Sequence, residues 1–221
     1  MITTQNMGNF KNKKNYCTIY LVRHGETEGN VRRIIMGHSD APLTAAGKEQ
    51  ARAVAKVLEG NPIDAIYASD LGRAVETAQI IADKRQLPIN TSLAIREKHY
   101  GAHEGRLVND YLADMRETHD NLSRLSNDER KKFQYPDGVE NDMAVADRIA
   151  AFLKKIAVMH RGKGVIVVSH GSAIRNFLLA IGFITRENMR RADAIENGAV
   201  VTLLCDGEDF QIVETNGVNT T

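Results

Sequence analysis

The sequence predicts an α/β fold, a three-layer α/β/α sandwich around a mainly parallel sheet. Three observations carry that expectation. Short apolar runs alternate with stretches of helical periodicity, the pattern of strands joined by crossover helices. Runs such as Cys17 to Val22 and Val165 to Val168 are apolar at nearly every position, which suits strands covered on both faces. The chain has 221 residues, enough for one such domain with its own core.

Taken in order, residues 1–15 are polar, rich in asparagine and lysine, and read as a frayed tail. Residues 16–215 read as a single domain, and 216–221 as a second tail. Cys17 to Val22 is the first strand, broken by Gly25 and Gly29. Asp40 to Thr44 turns into a helix with Thr44 as N-cap; Ala51, Val54, Ala55 and Leu58 form its apolar face, and Gly60-Asn61-Pro62 stops it. Ile63 to Ala68 is the second strand. Ser69 or Asp70 is the expected cap of a second helix, whose face is Ala74, Ala78, Ile81 and Ala82. A short extended piece is expected near Leu93 to Ile95.

Residues 107–135 differ from the rest. They are dense in charge, with scattered apolar residues such as Leu112, Met115, Leu122, Leu125 and Phe133. One or two exposed helices with a loop, lying over the domain as a small helical cap insertion, fit this pattern; the segment is too short to hold a separate core. A long helix follows from about Glu140 to His160, with Val145, Ile149, Phe152, Leu153 and Ile156 as its stripe. Val165 to Val168 is the third strand and Ser172 to Ile181 a helix. Val200 to Leu204 and Phe210 to Val213 close the fold around Gly207.

The formal charge is +1, so no global basic field points to nucleic acid or an anionic membrane. No continuous apolar segment reads as a signal peptide or a membrane span. Cys17 and Cys205 sit in apolar runs; a disulfide between them is one reading, and two buried thiols in a reducing cytoplasm is the better one. His38, His99, His103, His119 and His160 show no metal-ligand spacing, and no metal or other cofactor is expected.

Two histidines hold equivalent positions. His24 follows the first strand, His170 follows the third, and a glycine follows each. Ligands of open α/β sheets bind outside the carboxyl ends of the strands, so both imidazoles are expected in one crevice. Gly171 would let backbone N–H groups approach an anion. Arg23 and Arg73 can bring two guanidiniums there, which suits a tetrahedral dianion. Asn30 can add a neutral donor. Glu97 is placed to donate a proton to a leaving oxygen, with Glu104 a nearby rival. Histidine is a known covalent phosphoryl carrier.

RHGETEGN at Arg23 to Asn30 resembles the signature of the histidine phosphatase superfamily, also called phosphoglycerate mutase-like. SDLGRAVETA around Arg73, Glu97 before HYGAHEG, and SHG at Ser169 to Gly171 follow in the family's order. The resemblance implies a phosphoglycerate mutase-like fold and a metal-free reaction on a small phosphorylated substrate. It implies His24 as the phosphate-accepting nucleophile, Arg23, Arg73 and His170 as the rest of the phosphate pocket, Asn30 as an accessory ligand, and Glu97 as the proton donor.

The branch is mixed. Glu97-Lys98-His99-Tyr100-Gly101 is similar to the ERHYG segment of the cofactor-dependent mutases, with Lys98 in place of arginine. His103-Glu104-Gly105, and Pro136-Asp137-Gly138-Val139-Glu140 with Arg148 beyond it, look more like the phosphatase branch, and the paired arginine of the mutase insert is missing. The expected activity is therefore phosphomonoester hydrolysis through phosphohistidine. A cofactor-dependent phosphoglycerate mutase is the first alternative, and a phosphate- or phosphoprotein-binding module with vestigial catalysis the second. Lys98 either meets a second anionic group of the substrate or points to water, and Tyr100 either lines the pocket or packs. Arg130-Lys131-Lys132 either draws in an anionic substrate or is a solvated face. Oligomeric state, whether monomer or homodimer, is not encoded in any motif.

Overall fold

The computed structural model describes residues 16–185 and 194–219. Its strands are β1 (Cys17–Arg23), β2 (Ala65–Ser69), β3 (Ile89–Ser92), β4 (Gly164–Ser169), β5 (Ile195–Cys205) and β6 (Phe210–Val218). They form one sheet in the order β3-β2-β4-β1-β5-β6. The first four positions of that order run parallel, while β5 and β6 add an antiparallel flank. The helices are α1 (Glu28–Val31), α2 (Ala45–Val57), α3 (Gly72–Ala82), α4 (Val108–Asp114), α5 (Arg116–Ser123), α6 (Asn127–Lys132), α7 (Asp142–Met159) and α8 (Gly171–Ala180).

Alternation along the central strands divides the core into two layers. Cys17, Ile19 and Leu21 of β1 share one buried cluster with Ile149 and Leu153 of α7 and Phe177 of α8. Tyr20 and Val22 face the other way, into a cluster with Val54 of α2 and Ala74 and Ile81 of α3. Strands apolar at every position are what this double covering requires. The expected sandwich is the observed one.

Several local expectations change. α2 starts as read, with the Thr44 hydroxyl accepting the Gly47 N–H at 3.0 Å. α3 is not capped by Ser69 or Asp70. Its amino end is taken from outside by Asp40, whose carboxylate accepts the N–H groups of Gly72 and, at 3.3 Å, of Arg73. Asp70 pairs instead with Arg96. Leu93–Ile95 is a 3-10 turn, because the Ser92 hydroxyl accepts the Ala94 N–H at 3.2 Å and folds the chain back; the strand lies just before it, as β3.

The expected tail from 216 is a further correction. β6 continues to Val218, with Asn216 paired to Val200 and Val218 to Ile195. It is the outer strand of the sheet, where polar residues are tolerated, so its sequence lacks the apolar signature of β1 and β4. Residues 1–15 and 220–221 lie outside the described residues.

The cap holds three short helices, α4, α5 and α6, instead of one or two. Tyr111, Met115 and Leu122 turn inward onto Ile35, Tyr100 and Tyr135, which forms a third, smaller apolar cluster. Leu112 stays 46% exposed. Among the described residues, no helix is long and apolar enough to cross a membrane.

Candidate active site

β1 and β4 are neighbours, and their register sets Arg23 opposite Ser169. The next residue on each is a histidine, so His24 and His170 leave the sheet side by side at its carboxyl edge. Their ring centroids lie 5.1 Å apart, edge to face, and both residues are buried. Nδ1 of His24 lies 2.7 Å from the Gly25 carbonyl. A carbonyl only accepts, so Nδ1 carries the proton and Nε2 keeps its lone pair. Burial, then the Arg73 and Arg23 charges, hold the His24 imidazole well below its ordinary value, against a smaller opposite effect of the Gly25 hydrogen bond. Burial and Arg73 lower His170 in the same way. Both rings are neutral at pH 7.

Arg73 comes from the first turn of α3 and is buried. Its Nη1 donates to the Ser39 carbonyl at 2.7 Å and to Asp40 at 3.1 Å, and its Nη2 to the Gly37 carbonyl at 2.8 Å. Arg23 is anchored through Nη1 to the Ile195 carbonyl. The Nε atoms of Arg23 and Arg73, and both ring nitrogens of His170, are buried without a hydrogen-bond partner. Buried donors left in this state are costly, and an anion that accepts from them removes the cost. Burial and the Arg73 and Arg175 charges lower Arg23 itself, against the pull of Glu97.

Gly171 serves this site in a way not foreseen. A Cβ there would come within 3.1 Å of the Arg23 guanidinium, so glycine gives that side chain its passage. The amides just beyond it do not face an empty pocket. Ser172 and Ala173 donate to the Glu97 carboxylate at 3.1 and 2.9 Å, and the Lys98 amide adds a third bond at 2.8 Å. Glu97 thus sits on the amino end of α8 and lines the same cavity as His24 and Arg73.

The stretch that carries Glu97 is itself pinned. Arg148 of α7 forks onto Glu140 at 2.9 and 3.0 Å and donates to the carbonyls of Ala94, Arg96 and Glu97. Glu104 is used elsewhere, since its carboxylate accepts the N–H groups of His38, Ser39 and Tyr100.

The remaining expected residues fall as follows. The Asn30 carboxamide oxygen closes the α1 capping box with Thr27 and accepts from Asn197, so its amide nitrogen is the group on offer to the cavity. Lys98 does not point to water. It is 3% exposed, with Nζ 2.7 Å from Asp142 and over the Tyr135 ring. Burial raises the Asp142 carboxyl, but Lys98, with the Tyr135 hydroxyl, outweighs it and brings the group down to about 2. Tyr100 both packs and lines the cavity, its hydroxyl 2.7 Å from Ser172 Oγ. Arg130 donates to the Leu122 and Leu125 carbonyls.

Sequence reasoning missed Asp40, Asn197 and Arg175. Only Arg175 carried a signal, as it stands three residues after Ser172 on one helix face. The cleft between these groups and the cap has a volume of about 1180 Å³.

A parallel sheet that carries two neutral histidines at adjacent strand ends, ringed by guanidiniums, belongs to the class of histidine-dependent phosphoryl-transfer enzymes. Residues 19–217 match the histidine phosphatase superfamily (branch 1), and the chain belongs to that family. It is 37% identical over 200 residues to phosphoglycerate mutase-like protein 4 of Arabidopsis thaliana, covering 89% of this chain and 84% of that one. It is 33% identical over 152 residues to the adenosylcobalamin/alpha-ribazole phosphatase of Escherichia coli, covering 69% and 72%. The structure is similar to that of Bacillus stearothermophilus YhfR, with a TM-score of 0.78, 29% identity and coverage of 92% and 98%. Mutase and phosphatase names thus both occur among the relatives.

Proposed function

We propose that the protein is a phosphomonoester hydrolase that works through phosphohistidine at His24. The observation that carries this reading is the His24 tautomer: Nδ1 is committed to the Gly25 carbonyl, and Nε2 is left to attack, next to Arg23 and Arg73. In the first step Nε2 forms a bond to phosphorus as the ester P–O bond breaks. Arg23, Arg73 and His170 take up the charge on the transferring group, and Asn30 adds a donor. Glu97 gives a proton to the leaving oxygen. In the second step Glu97 takes a proton from water as it attacks phosphohistidine, which releases phosphate and restores His24.

Hydrolysis is favoured over return of the phosphoryl group to the substrate because a cleft of about 1180 Å³ gives water room beside His24. The reading includes no metal, since guanidiniums supply the positive charge a metal would bring. A small phosphorylated metabolite is the substrate, without a nucleic-acid partner. A cytoplasmic setting fits Cys17 and Cys205, which face each other across β1 and β5 as free thiols.

The test is acid-labile labelling with a phosphorylated substrate, together with phosphate release and 3-phosphoglycerate isomerisation with and without 2,3-bisphosphoglycerate. His24→Ala is expected to abolish both labelling and turnover, and chelators to leave turnover unchanged. Substantial activity in His24→Ala would overturn the mechanism, and isomerisation without phosphate release would assign the mutase instead.

A further inference from the structure

We propose that Asn197 is a site of spontaneous covalent modification. Its side chain cyclises onto the Gly198 amide and is hydrolysed to aspartate or isoaspartate, which puts a carboxylate beside the phosphate pocket and retires the molecule with age. The inference rests on the reading of this cleft as a phosphate pocket, and it holds whether the phosphoryl group passes to water or back to the substrate.

The sequence has two Asn-Gly pairs, Asn197-Gly198 and Asn216-Gly217. Asparagine is a thermolabile residue. It is most so before glycine, where no Cβ shields the backbone nitrogen that attacks its side chain. Asn197-Gly198 lies where β5 shifts its register with β6, between the paired residues Ile195 and Val200. The Gly198 N–H reaches the His24 carbonyl at 3.4 Å, beyond the usual range of about 2.7–3.2 Å. The attacking nitrogen is therefore loosely held. Asn197 itself is half-buried and lines the cleft.

The reaction needs only the chain and water. The Gly198 nitrogen bonds to Asn197 Cγ, the bond from Cγ to Nδ2 breaks, and ammonia leaves with the amide proton. Water then opens the resulting ring. Attack at Cγ gives aspartate. Attack at the main-chain carbonyl leaves the chain running through the side chain, longer by a methylene, as isoaspartate.

Other demands keep both residues in place. Gly198 has a φ of 76°, and a Cβ there would come within 3.2 Å of Gln50 Cβ, so any side chain is strained. Asn197 Nδ2 donates to the His24 carbonyl at 3.1 Å and to Asn30 Oδ1 at 3.3 Å, which ties the backbone of the nucleophile to the Asn30 amide. A carboxylate in its place has no proton to donate and faces two acceptors. Asn30 cannot answer by turning its amide round, because the Thr27 N–H also donates to Oδ1, at 3.0 Å. The added charge repels a phosphate dianion bound beside it. Isoaspartate also lengthens the chain close to Ile195, whose carbonyl anchors Arg23. Asn216 is the internal control, since it is exposed on β6 opposite Val200 and outside the lining of the cleft.

The experiment ages the unaltered protein in warm, mildly alkaline buffer. Ion exchange separates the products by their added negative charge, and peptide mass spectrometry with isoaspartyl methyltransferase labelling maps them. Calorimetry with inorganic phosphate reads the pocket without turnover. Conversion at Asn197 is expected in the native protein. The converted fraction should bind phosphate at least about tenfold more weakly than the unconverted one, the scale of one lost charge-assisted contact. Asn197→Asp should reproduce that loss in fresh protein, and Asn216→Asp should not. Asn197→Gln, which keeps a donor and cyclises far more slowly, should hold its starting affinity on ageing. Asn197 that stays intact in the native chain while converting in the denatured one overturns the proposal, as does a converted fraction that binds phosphate like the rest. Phosphate release from 4-nitrophenyl phosphate by fresh protein tests the hydrolase reading separately. Affinity lost on ageing, in a protein that releases no phosphate when fresh, would retain the modification site and reject the hydrolase.

Discussion

The hydrogen bond from His24 Nδ1 to the Gly25 carbonyl leaves one lone pair for chemistry, and burial keeps it unprotonated. The same burial links the pocket to stability. Both His24 and His170 titrate below their ordinary 6.5 in the folded chain. Below that pH the unfolded chain binds protons that the folded one does not, so stability is full above pH 6.5 and falls as pH drops. The expected slope is about 1.4 kcal/mol per pH unit for each histidine, until its folded value is reached. Denaturant titrations between pH 7 and 5.5 read it directly, and inorganic phosphate should reduce the loss by binding the folded state alone. Asp142 acts lower down, since its contribution is present above 3.8 and lost as pH falls through about 2. For Glu97, the Glu97→Gln variant should slow alkyl phosphates by about 10²-fold or more, the usual scale of general acid catalysis. It should have much less effect on 4-nitrophenyl phosphate, whose leaving group needs little help. An equal loss on both would show that Glu97 only holds α8. Sequence alone left Glu97 and Glu104 as rivals because both stand among charges. What separates them is where their oxygens go, and the deciding partners, Ser172 and Ala173 for Glu97 and His38 and Ser39 for Glu104, are distant in the chain.

At the scale of elements, the cap of α2 was legible and the cap of α3 was not, although the apolar face of α3 was. Thr44 announces α2. α3 depends on Asp40, 32 residues away, whose carboxylate also meets Arg73 Nη1. Asp40→Ala should therefore cost about 1–2 kcal/mol in stability, as the loss of a cap does. It should also raise KM for phosphate esters, because Arg73 loses one of its anchors. Unchanged KM together with lowered stability would separate the cap from the pocket. The central strands β1, β2 and β4 were legible because they are apolar throughout, while the far end of β6 was not because an outer strand need not be. The cap's three helices were blurred by charge. Their inward residues, Tyr111, Met115 and Leu122, are spaced for contact with Ile35 and Tyr135, which no local pattern predicts.

Across the molecule, the sheet brings the two cysteines together. Cys17 and Cys205 are cross-strand partners, fully buried and free. Burial, and then mutual repulsion with Cys205, push the Cys17 thiol up to about 12, and burial raises Cys205 to about 11. Neither should react with a thiol reagent at pH 8 in the native state, and both should react once the chain is unfolded in denaturant. Fast native labelling would mean that β5 opens from β1. The layering and the histidine pair were legible because they depend on strands and the residues that follow them, whereas the order of strands was not written in any local motif.

That order has a consequence for synthesis. β4 lies between β2 and β1, so these two strands have no hydrogen-bonded link within the sheet until residues 164–169 exist, and before that α3 meets the β1 side through α2 and through the contacts of Arg73 and Thr77. A chain emerging from the ribosome holds Arg23, His24 and Arg73 early, but without the strand that fixes β1 beside β2. Insertion of this one late strand sets the two in a single sheet and delivers His170 in the same event, and Ile195 of β5 then anchors Arg23, so the topology implies that a growing chain completes its phosphate pocket late.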